Sequence, residues 1–303
     1  MNPTANITCF YHGKGCRDGF MAAAIFWCNH RGKPVDYIAM DYYEKPEFFP
    51  TGKVFLVDFC FQDIEVMQEL IDTAEHVTVI DHHKGAMETL QTLRELYGED
   101  KLSIRFNLER SGCGLVWDYF CPDKYTPFPV LWTEDRDLWR FHYSGTRAFN
   151  EGLTVYPKTF AAWAELFTNK HQREEVIRLG EVELTRLEMR CAKSLQNGLQ
   201  TVKLQTPLDY PKSKGGELIV PCCRAERPSD ASRLTEYMIE RLGVDIVTCW
   251  WDDPKGRRFR LNTLRDHVDL IPIAKRYGGG GHPTSAGFMV PFNHPLVDVT
   301  NRQ

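Results

Sequence analysis

Val77-Thr-Val-Ile-Asp-His-His-Lys84 is an apolar run of mainly β-branched residues that ends on an acidic residue and two histidines. A short run of this kind predicts a buried strand of a parallel sheet rather than a helix. Its polar end, Asp81-His82-His83, then lies where the strand leaves the sheet, and ligands bind at that edge in open α/β sheets. The run therefore predicts a strand that carries metal ligands at its carboxyl end.

Two earlier strand-like segments end in the same way. Residues 7–11 lead into His12, with Asp18 a few positions later, and residues 54–57 lead directly into Asp58. Helical patterns separate the segments, and this alternation of strand and helix predicts a parallel sheet with right-handed crossovers. The helical patterns lie at residues 20–27, 64–74 and 87–97.

The carboxyl ends of parallel strands meet at one edge of a sheet, so these polar residues should gather in one place. Asp135, in a later Glu-Asp-Arg-Asp stretch, is the best candidate for a further ligand. The residues expected at the shared edge are His12, Asp18, Asp58, Asp81, His82 and His83.

The composition bounds the class of protein. The chain has 303 residues, of which 43% are hydrophobic and 26% charged, so we expect a soluble protein with two domains. No apolar run is long enough to span a membrane and no signal-peptide pattern opens the chain, so we expect a cytoplasmic protein without a membrane partner. The net charge of -4 gives no general attraction to long duplex nucleic acid. The ten cysteines include no Cys-x-x-Cys pair, and we interpret most as buried thiols.

The pattern changes along the chain and places a domain boundary near residue 200. Residues 1–200 form the α/β domain with the parallel sheet, and from about residue 159 this part ends in a helical linker. Residues 201–303 form a smaller α/β domain with a helix at about 229–242 and strands near 245–250 and 258–262.

The strand-end residues suit divalent metal ions. Aspartates and neutral imidazoles bind manganese, magnesium, iron or zinc, and Asp58 at a strand end can bridge two ions. Two ions about 3.5–4 Å apart generate hydroxide and stabilise the attacking and leaving oxygens at phosphorus. The first domain therefore predicts hydrolysis of a phosphate ester or anhydride.

A glycine tract near the end of the chain predicts an anion-binding segment. Residues 278–281 are consecutive glycines, followed directly by His282. Glycines expose backbone N–H groups without side-chain obstruction, so a phosphate can approach closely. Arg265 could add a fixed positive fork to the same group.

These motifs resemble the DHH-family phosphoesterases with their accompanying C-terminal domain. Asp81-His82-His83 follows a strand, and Gly-Gly-Gly-His-x-x-x-Ala-Gly-Phe occupies residues 279–288, in the order usual for the family. The resemblance covers nearly the whole chain. It implies a two-lobed enzyme, usually manganese-dependent with two ions, that hydrolyses phosphodiester or phosphoanhydride bonds. Mg²⁺, Co²⁺, Fe²⁺ and Zn²⁺ remain alternatives.

The resemblance also implies roles for individual residues. His12 and Asp58 match ligands of a first metal, and Asp58 bridges to a second metal whose other matches are Asp18, His82 and Asp135. His83 resembles the residue that contacts the reacting phosphate, and Asp81 the one that orients the imidazoles. Residues that match the substrate-binding positions are Arg265, Gly280, Gly281, His282 and Ser111, the last at a helix start that could face phosphate.

One residue departs from the usual family pattern. Many relatives have an aspartate four positions after the first histidine, and this chain has Cys16. A thiolate is a soft ligand, so the first site is expected to be weaker, to prefer a softer metal, or to fill only with substrate present. Whether Cys16 binds a metal ion is therefore left open by the sequence.

Three functions are compatible with these sequence features. The leading one is a metal-dependent phosphodiesterase, of exonuclease type, that converts small nucleotides or short single-stranded oligonucleotides to mononucleotides. The second is a pyrophosphatase or polyphosphatase, and the third a nucleotide-binding sensor that lost turnover through Cys16. The exact substrate and the oligomeric state, including a homodimer, stay open.

Overall fold

A computed structural model describes residues 5–13, 15–41, 44–211, 213–265 and 267–300, without the side chains of 299 and 300. The chain divides into two compact units, residues 1–184 and 185–303. The division falls inside a long helix, α8 (Lys170–Gly198).

The first unit contains a five-stranded sheet in the order β2-β1-β3-β4-β5, with every neighbouring pair parallel. This confirms the predicted α/β class with a parallel sheet. The strands are β1 (Ile7–His12), β2 (Asp36–Met40), β3 (Lys53–Val57), β4 (His76–Asp81) and β5 (Leu102–Phe106). The helices before α8 are α1 (Arg17–Asn29), α2 (Ile64–Thr73), α3 (Met87–Tyr97), α4 (Gly112–Phe120), α5 (Phe128–Asp137), α6 (Thr146–Gly152) and α7 (Phe160–Glu165).

Both faces of this sheet are buried, which explains the continuous apolar runs in the sequence. Val79 belongs to a core cluster with Leu70 of α2, whereas its neighbour Ile80 belongs to another cluster with Ile25 of α1. Successive residues of a strand point to opposite faces, so β4 needs apolar side chains on both. The candidate ligands begin only at the end of the strand, at Asp81-His82-His83.

The second unit contains a six-stranded sheet in the order β10-β11-β9-β8-β7-β6. Its neighbours are antiparallel except for the parallel pair β7–β8. The strands are β6 (Gln200–Gln205), β7 (Glu217–Arg224), β8 (Val247–Asp253), β9 (Gly256–Asn262), β10 (Gly280–His282) and β11 (Ser285–Val290), and the helices are α9 (Ala231–Leu242), α10 (Ile271–Arg276) and α11 (Pro295–Thr300).

Part of the glycine tract forms a strand. Residues 280–282 form the exposed edge strand β10, paired with β11. We call β10 the glycine edge. Within the described parts of the chain, no helix combines the length and apolarity that a membrane span requires.

Candidate metal centre

Asp58 is the central residue of the site and has an unusual backbone. It directly follows β3, its N–H donates to the carbonyl of Ile80 at 2.9 Å, and its side chain is 1% exposed. Its φ of 54° lies in the left-handed region, which a residue other than glycine enters at a cost of about 1–3 kcal/mol. This turn aims the carboxylate along the strand-end edge of the sheet, among the predicted ligands.

The two oxygens of Asp58 face different groups of side chains. Oδ2 lies 3.5 Å from His12 Nδ1 and accepts a hydrogen bond from Cys16 Sγ at 3.4 Å. Oδ1 lies 3.2 Å from His82 Nε2 and 3.9 Å from His83 Nδ1. Asp58 therefore joins two ligand groups, one through each oxygen.

His82 is surrounded by carboxylates. Its Nε2 lies 3.2 Å from Asp58 Oδ1, 3.4 Å from Asp137 Oδ2 and 3.8 Å from Asp18 Oδ2. Burial alone would lower the pKa of His82, but the contact with Asp58 and the charges of Asp18 and Asp137 outweigh burial and raise this pKa to about 10. The arrangement therefore attracts a cation, either a proton or a metal ion.

Asp18 is held by the N-terminus of α4. Its carboxylate accepts hydrogen bonds from Ser111 Oγ at 2.8 Å, Gly112 N at 2.6 Å and Cys113 N at 3.1 Å. The partial positive charge of a helix N-terminus stabilises a carboxylate there. Burial, followed by the charges of Asp58 and Asp137, nevertheless raises the pKa of Asp18 well above its usual value.

This geometry corrects the expectation for Ser111. Ser111 is fully buried, and the first backbone amides of α4 are occupied by Asp18 rather than open to a substrate phosphate. Ser111 positions a candidate metal ligand. The sequence showed a helix start at this place but not the distant carboxylate that occupies it.

Asp81 contacts the two histidines that follow it. Its Oδ1 accepts a hydrogen bond from His83 Nδ1 at 2.7 Å and from the His82 backbone N–H at 2.8 Å. A carboxylate bound to Nδ1 fixes the tautomer and the orientation of an imidazole. Asp81 can therefore orient the histidines without itself contacting a metal ion or a substrate.

Asp135 does not reach the cluster, which corrects the second-metal assignment. Its carboxylate accepts hydrogen bonds from Thr146 Oγ1, from His142 N at 2.9 Å and from Tyr143 N at 3.1 Å. Burial alone would raise the pKa of Asp135, but these hydrogen bonds outweigh burial and lower the pKa. Asp135 holds the segment after α5, because all these donors lie there.

Asp137 takes the place that the sequence assigned to Asp135. It is grouped with Asp18 and His82. A helical signal could have identified it: Asp137 lies four residues after Thr133 and seven after Val130, both buried, and residues at these spacings share one helix face.

Cys16 combines a structural contact with a ligand position. Its Sγ accepts a hydrogen bond from Gly19 N at 3.3 Å and so caps α1. Burial, and then the charge of Asp58, raises the pKa of the Cys16 thiol well above its usual value. The thiol therefore stays protonated unless a cation offsets the neighbouring carboxylates.

The residues of this site fit divalent metal ions. Ligand atoms within each of three groups lie within 4.8 Å of one another. Asp58 Oδ1 and His82 Nε2 are buried, and neither forms a well-directed hydrogen bond with any described residue. The three groups, which we call the metal cluster, are His12–Cys16–Asp58, Asp58–His82–His83 and Asp18–His82–Asp137.

Solved structures share this architecture. The pGpG-specific phosphodiesterase PggH from Vibrio cholerae gives a TM-score of 0.56 at 11% identity, over 94% of this chain and 93% of that chain. The DHH domain of a member of the S1p family of ribosomal proteins gives a TM-score of 0.59 at 12% identity, over 97% of this chain and 85% of that chain. This chain has the DHH-family fold.

A sequence relative is also found. Uncharacterized protein R106 of Acanthamoeba polyphaga mimivirus is 25% identical over 300 residues, which cover 91% of this chain and 66% of that protein. This DHH-fold chain thus spans about two thirds of the relative's length. No protein-family model matches the chain.

The other predicted site residues of this DHH-fold protein lie in its second unit. Gly280, Gly281 and His282 form the exposed glycine edge, and Gly281 has a φ of 139°, a conformation that glycine favours. Arg265 is 60% exposed, and its Nε lies 2.9 Å from Asp245 Oδ1. The guanidinium is thus paired but accessible to solvent.

Proposed function

We propose that this protein is a metal-dependent phosphodiesterase that hydrolyses small nucleotides or short oligonucleotides to mononucleotides. The observation that carries the proposal is Asp58, whose two oxygens face separate ligand groups. A carboxylate placed in this way would help to hold two divalent ions, which would supply the chemistry for displacement at phosphorus.

Two observations support a short nucleotide as the substrate. The shared fold includes a pGpG-specific phosphodiesterase, whose name gives a dinucleotide as its substrate. The net charge of -4 offers no general attraction to a long polyanion. A dinucleotide is therefore the first substrate to test.

Manganese is the proposed metal, and we expect two ions. Carboxylates and imidazoles dominate the cluster, and Mn²⁺ accepts both ligand types. Cys16 would shift the His12–Cys16–Asp58 group toward a softer ion such as Zn²⁺ or Fe²⁺ if its thiolate binds.

The chain's own residues would bind and orient the reacting groups. Divalent ions in the cluster would supply an activated water and stabilise negative charge on the phosphate. Asp81 fixes the His83 imidazole, whose side chain is 33% exposed and so accessible to substrate. Burial alone would lower the pKa of His83, but Asp81 raises it, so the imidazolium can donate a proton to the leaving oxygen near neutral pH.

The second unit carries a surface that would bind phosphate. The glycine edge offers backbone N–H groups beside which a phosphate can lie, and Arg265 adds a cation. His282 continues the same edge strand. These residues are proposed to determine substrate affinity rather than to take part in bond cleavage.

The proposal is tested by Mn²⁺-dependent hydrolysis of a 5′-phosphorylated dinucleotide. Asp58→Asn is the variant of choice because asparagine also tolerates the left-handed backbone at this position and preserves side-chain size. Loss of the bridging charge should lower hydrolysis at least about 100-fold. The matched control is Asp123→Asn, the same change at an exposed carboxylate, which should leave hydrolysis unchanged.

The other outcomes of this experiment would contradict the proposal or support a different function. Absence of mononucleotide from the unchanged protein would contradict the dinucleotide proposal. Phosphate release from pyrophosphate or polyphosphate in its place would support an anhydride hydrolase. Tight nucleotide binding without hydrolysis of either substrate would support a sensor.

A further inference from the structure

The segment that follows α5 carries an exposed aromatic side chain on strained backbone. Among the described residues other than glycine, only Asp58, Trp139 and Phe141 have a positive φ, and the values for the two aromatic residues are 57° and 52°. For a bulky side chain a positive φ is a clear outlier. Such outliers concentrate at functional sites, where the surrounding structure holds them in place. Trp139, which is 42% exposed, is therefore a candidate for a functional role.

Asp135 holds the backbone of this segment. Its carbonyl oxygen accepts hydrogen bonds from the N–H groups of Arg140 at 2.9 Å and Phe141 at 3.3 Å. Its carboxylate accepts hydrogen bonds from the N–H groups of the next two residues, His142 and Tyr143. Four consecutive backbone N–H groups are thus bound to one buried residue, which fixes the turn despite its strain.

Neither the backbone nor the core explains why an indole occupies this turn. Glycine adopts a left-handed φ without steric cost, so the backbone by itself favours glycine at position 139. Core packing does not explain the residue either, because much of the Trp139 side chain remains in contact with solvent. A role in binding a ligand would explain why this side chain is aromatic.

Two neighbouring side chains orient the Trp139 ring. The guanidinium carbon of Arg136 lies over the indole, 4.9 Å from the ring centroid. The Phe141 ring meets the indole at a centroid distance of 5.0 Å and an interplanar angle of 78°, which is an edge-to-face contact. A cation–π contact and an edge-to-face contact orient the indole and leave it partly open to solvent. We call Arg136, Trp139 and Phe141 the aromatic platform.

The aromatic platform lies beside the metal cluster. Trp139 follows Asp137 of the cluster by two residues, so their Cα atoms are at most about 7.6 Å apart. Arg136, which lies over the indole, also lines a cavity together with Cys16, Asp18 and Asp137. A nucleotide whose phosphate is bound at the cluster would therefore have its neighbouring groups within reach of the platform.

We propose that the aromatic platform stacks a nucleobase of the substrate, with the Trp139 indole as the stacking surface. The inference rests on the proposed function, because it assigns the part of the nucleotide that is held beside the same centre. Every base has a π-face, so aromatic side chains stack on bases with little dependence on sequence. The platform therefore favours nucleotides over phosphate compounds that carry no base, and it does not select one base.

The kinetic test compares a 5′-phosphorylated dinucleotide with an analogue in which both residues are abasic. The unchanged protein should prefer the dinucleotide that carries bases. Trp139→Gly should reduce the ratio of the two kcat/KM values about 5- to 100-fold, the effect expected for the loss of one stacked base. Trp139→Phe should keep most of the preference, because phenylalanine also offers a ring.

The matched control is Tyr125→Gly, which also removes an exposed aromatic ring. Tyr125 precedes α5, whereas Asp137 ends this helix of ten residues and about 15 Å. The control should therefore keep the ratio. If Trp139→Gly lowers both kcat/KM values equally, Trp139 acts only on the position of the segment and the proposal is overturned.

A binding test is independent of hydrolysis. The Mn²⁺-loaded protein is titrated calorimetrically with adenosine 5′-monophosphate and, separately, with ribose 5-phosphate. Trp139→Gly should give a nucleotide Kd at least about 5-fold higher than Tyr125→Gly, with equal Kd values for ribose 5-phosphate. Equal nucleotide Kd values would overturn the proposal. A raised nucleotide Kd in a protein that hydrolyses no dinucleotide would support the platform and contradict the proposed function.

The variants are chosen to preserve folding. Glycine adopts the φ of residue 139 without strain, so the thermal unfolding midpoint of Trp139→Gly should not fall below that of the unchanged protein. If the midpoint falls, Trp139→Asn takes its place, because asparagine also tolerates this conformation and carries no ring. The same loss of preference for the base-bearing nucleotide is then required.

Discussion

The metal cluster and the glycine edge differ in what they offer a ligand. The cluster consists mainly of buried or half-buried ionisable side chains, placed by contacts between residues far apart in sequence, such as Ser111 with Asp18. The glycine edge is exposed and consists of backbone paired with a strand that follows closely. Ligand binding at the metal cluster should therefore depend on charge and exact placement, whereas at the glycine edge it should depend on the absence of side chains.

The largest effect should follow from adding one methyl group beside the cluster. In Gly112→Ala the new Cβ would overlap Cβ and Oδ1 of Asp58. Displacement of the Asp58 carboxylate should lower kcat/KM for a dinucleotide by more than about 100-fold. Gly85→Ala, two residues after His83, places its Cβ 4.0 Å from Gln62 Nε2 and should retain activity. Equal activity of the two variants would contradict the importance of exact placement.

Metal affinity of the cluster should depend strongly on pH. His82 in the metal-free protein is protonated below its pKa of about 10, and only the neutral imidazole binds metal. Metal binding thus displaces at least one proton, so affinity should rise about tenfold per pH unit, or about 100-fold from pH 6.5 to 8.5. Mn²⁺ titrations across this range test the slope, and His82→Gln should reduce it. A flat profile in the unchanged protein would argue against His82 as a ligand.

Asp137 and Asp135 should give opposite responses to the same change. Asp137→Asn should raise the Mn²⁺ Kd at least about 10-fold with little change in stability, because Asp137 faces the cluster. Asp135→Asn should lower the free energy of unfolding by about 1–3 kcal/mol, because its charge supports several hydrogen bonds. Metal titration and denaturant unfolding of both variants make the comparison. The reverse pattern would restore Asp135 as the ligand.

The smallest effect is expected at the glycine edge. A Cβ at Gly280 would meet no atom within 4 Å, so Gly280→Ala should fold normally. It should raise KM about fivefold and leave kcat unchanged, because the methyl group would hinder only a ligand that lies against the backbone. An unchanged KM would remove Gly280 from the substrate site.

Strand-end chemistry made much of the cluster predictable. Parallel strands expose their carboxyl ends at one edge, so His12, Asp58 and His82 could be assigned to one place from sequence alone. The left-handed turn at Asp58 was not predictable, because no local signal requires it there. It determines that each oxygen of this carboxylate faces a different ligand group.

The two predictions that were wrong, for Asp135 and Ser111, concern residues on or next to helices. Asp135 and Asp137 differ by about 200° around a helix axis, so a choice between them requires knowing which face of α5 is inward. The start of α4 was recognised at Ser111, but its occupant, Asp18, lies far away in sequence. The alternation along a strand shows which face of the sheet each side chain lies on. The rotation of a helix about its axis, and contacts between residues far apart in sequence, are instead fixed by tertiary packing.

The crowding of Asp18, Asp58 and Asp137 around His82 has a consequence for handling the protein. Without divalent ions the folded chain holds several carboxylates close together, a repulsion that unfolding relieves. A metal that binds only the folded state at 100 times its Kd adds about 2.7 kcal/mol of stability. Chelators used in purification should therefore weaken the fold as well as the chemistry, and the melting temperature can serve as a sensitive gauge of metal content.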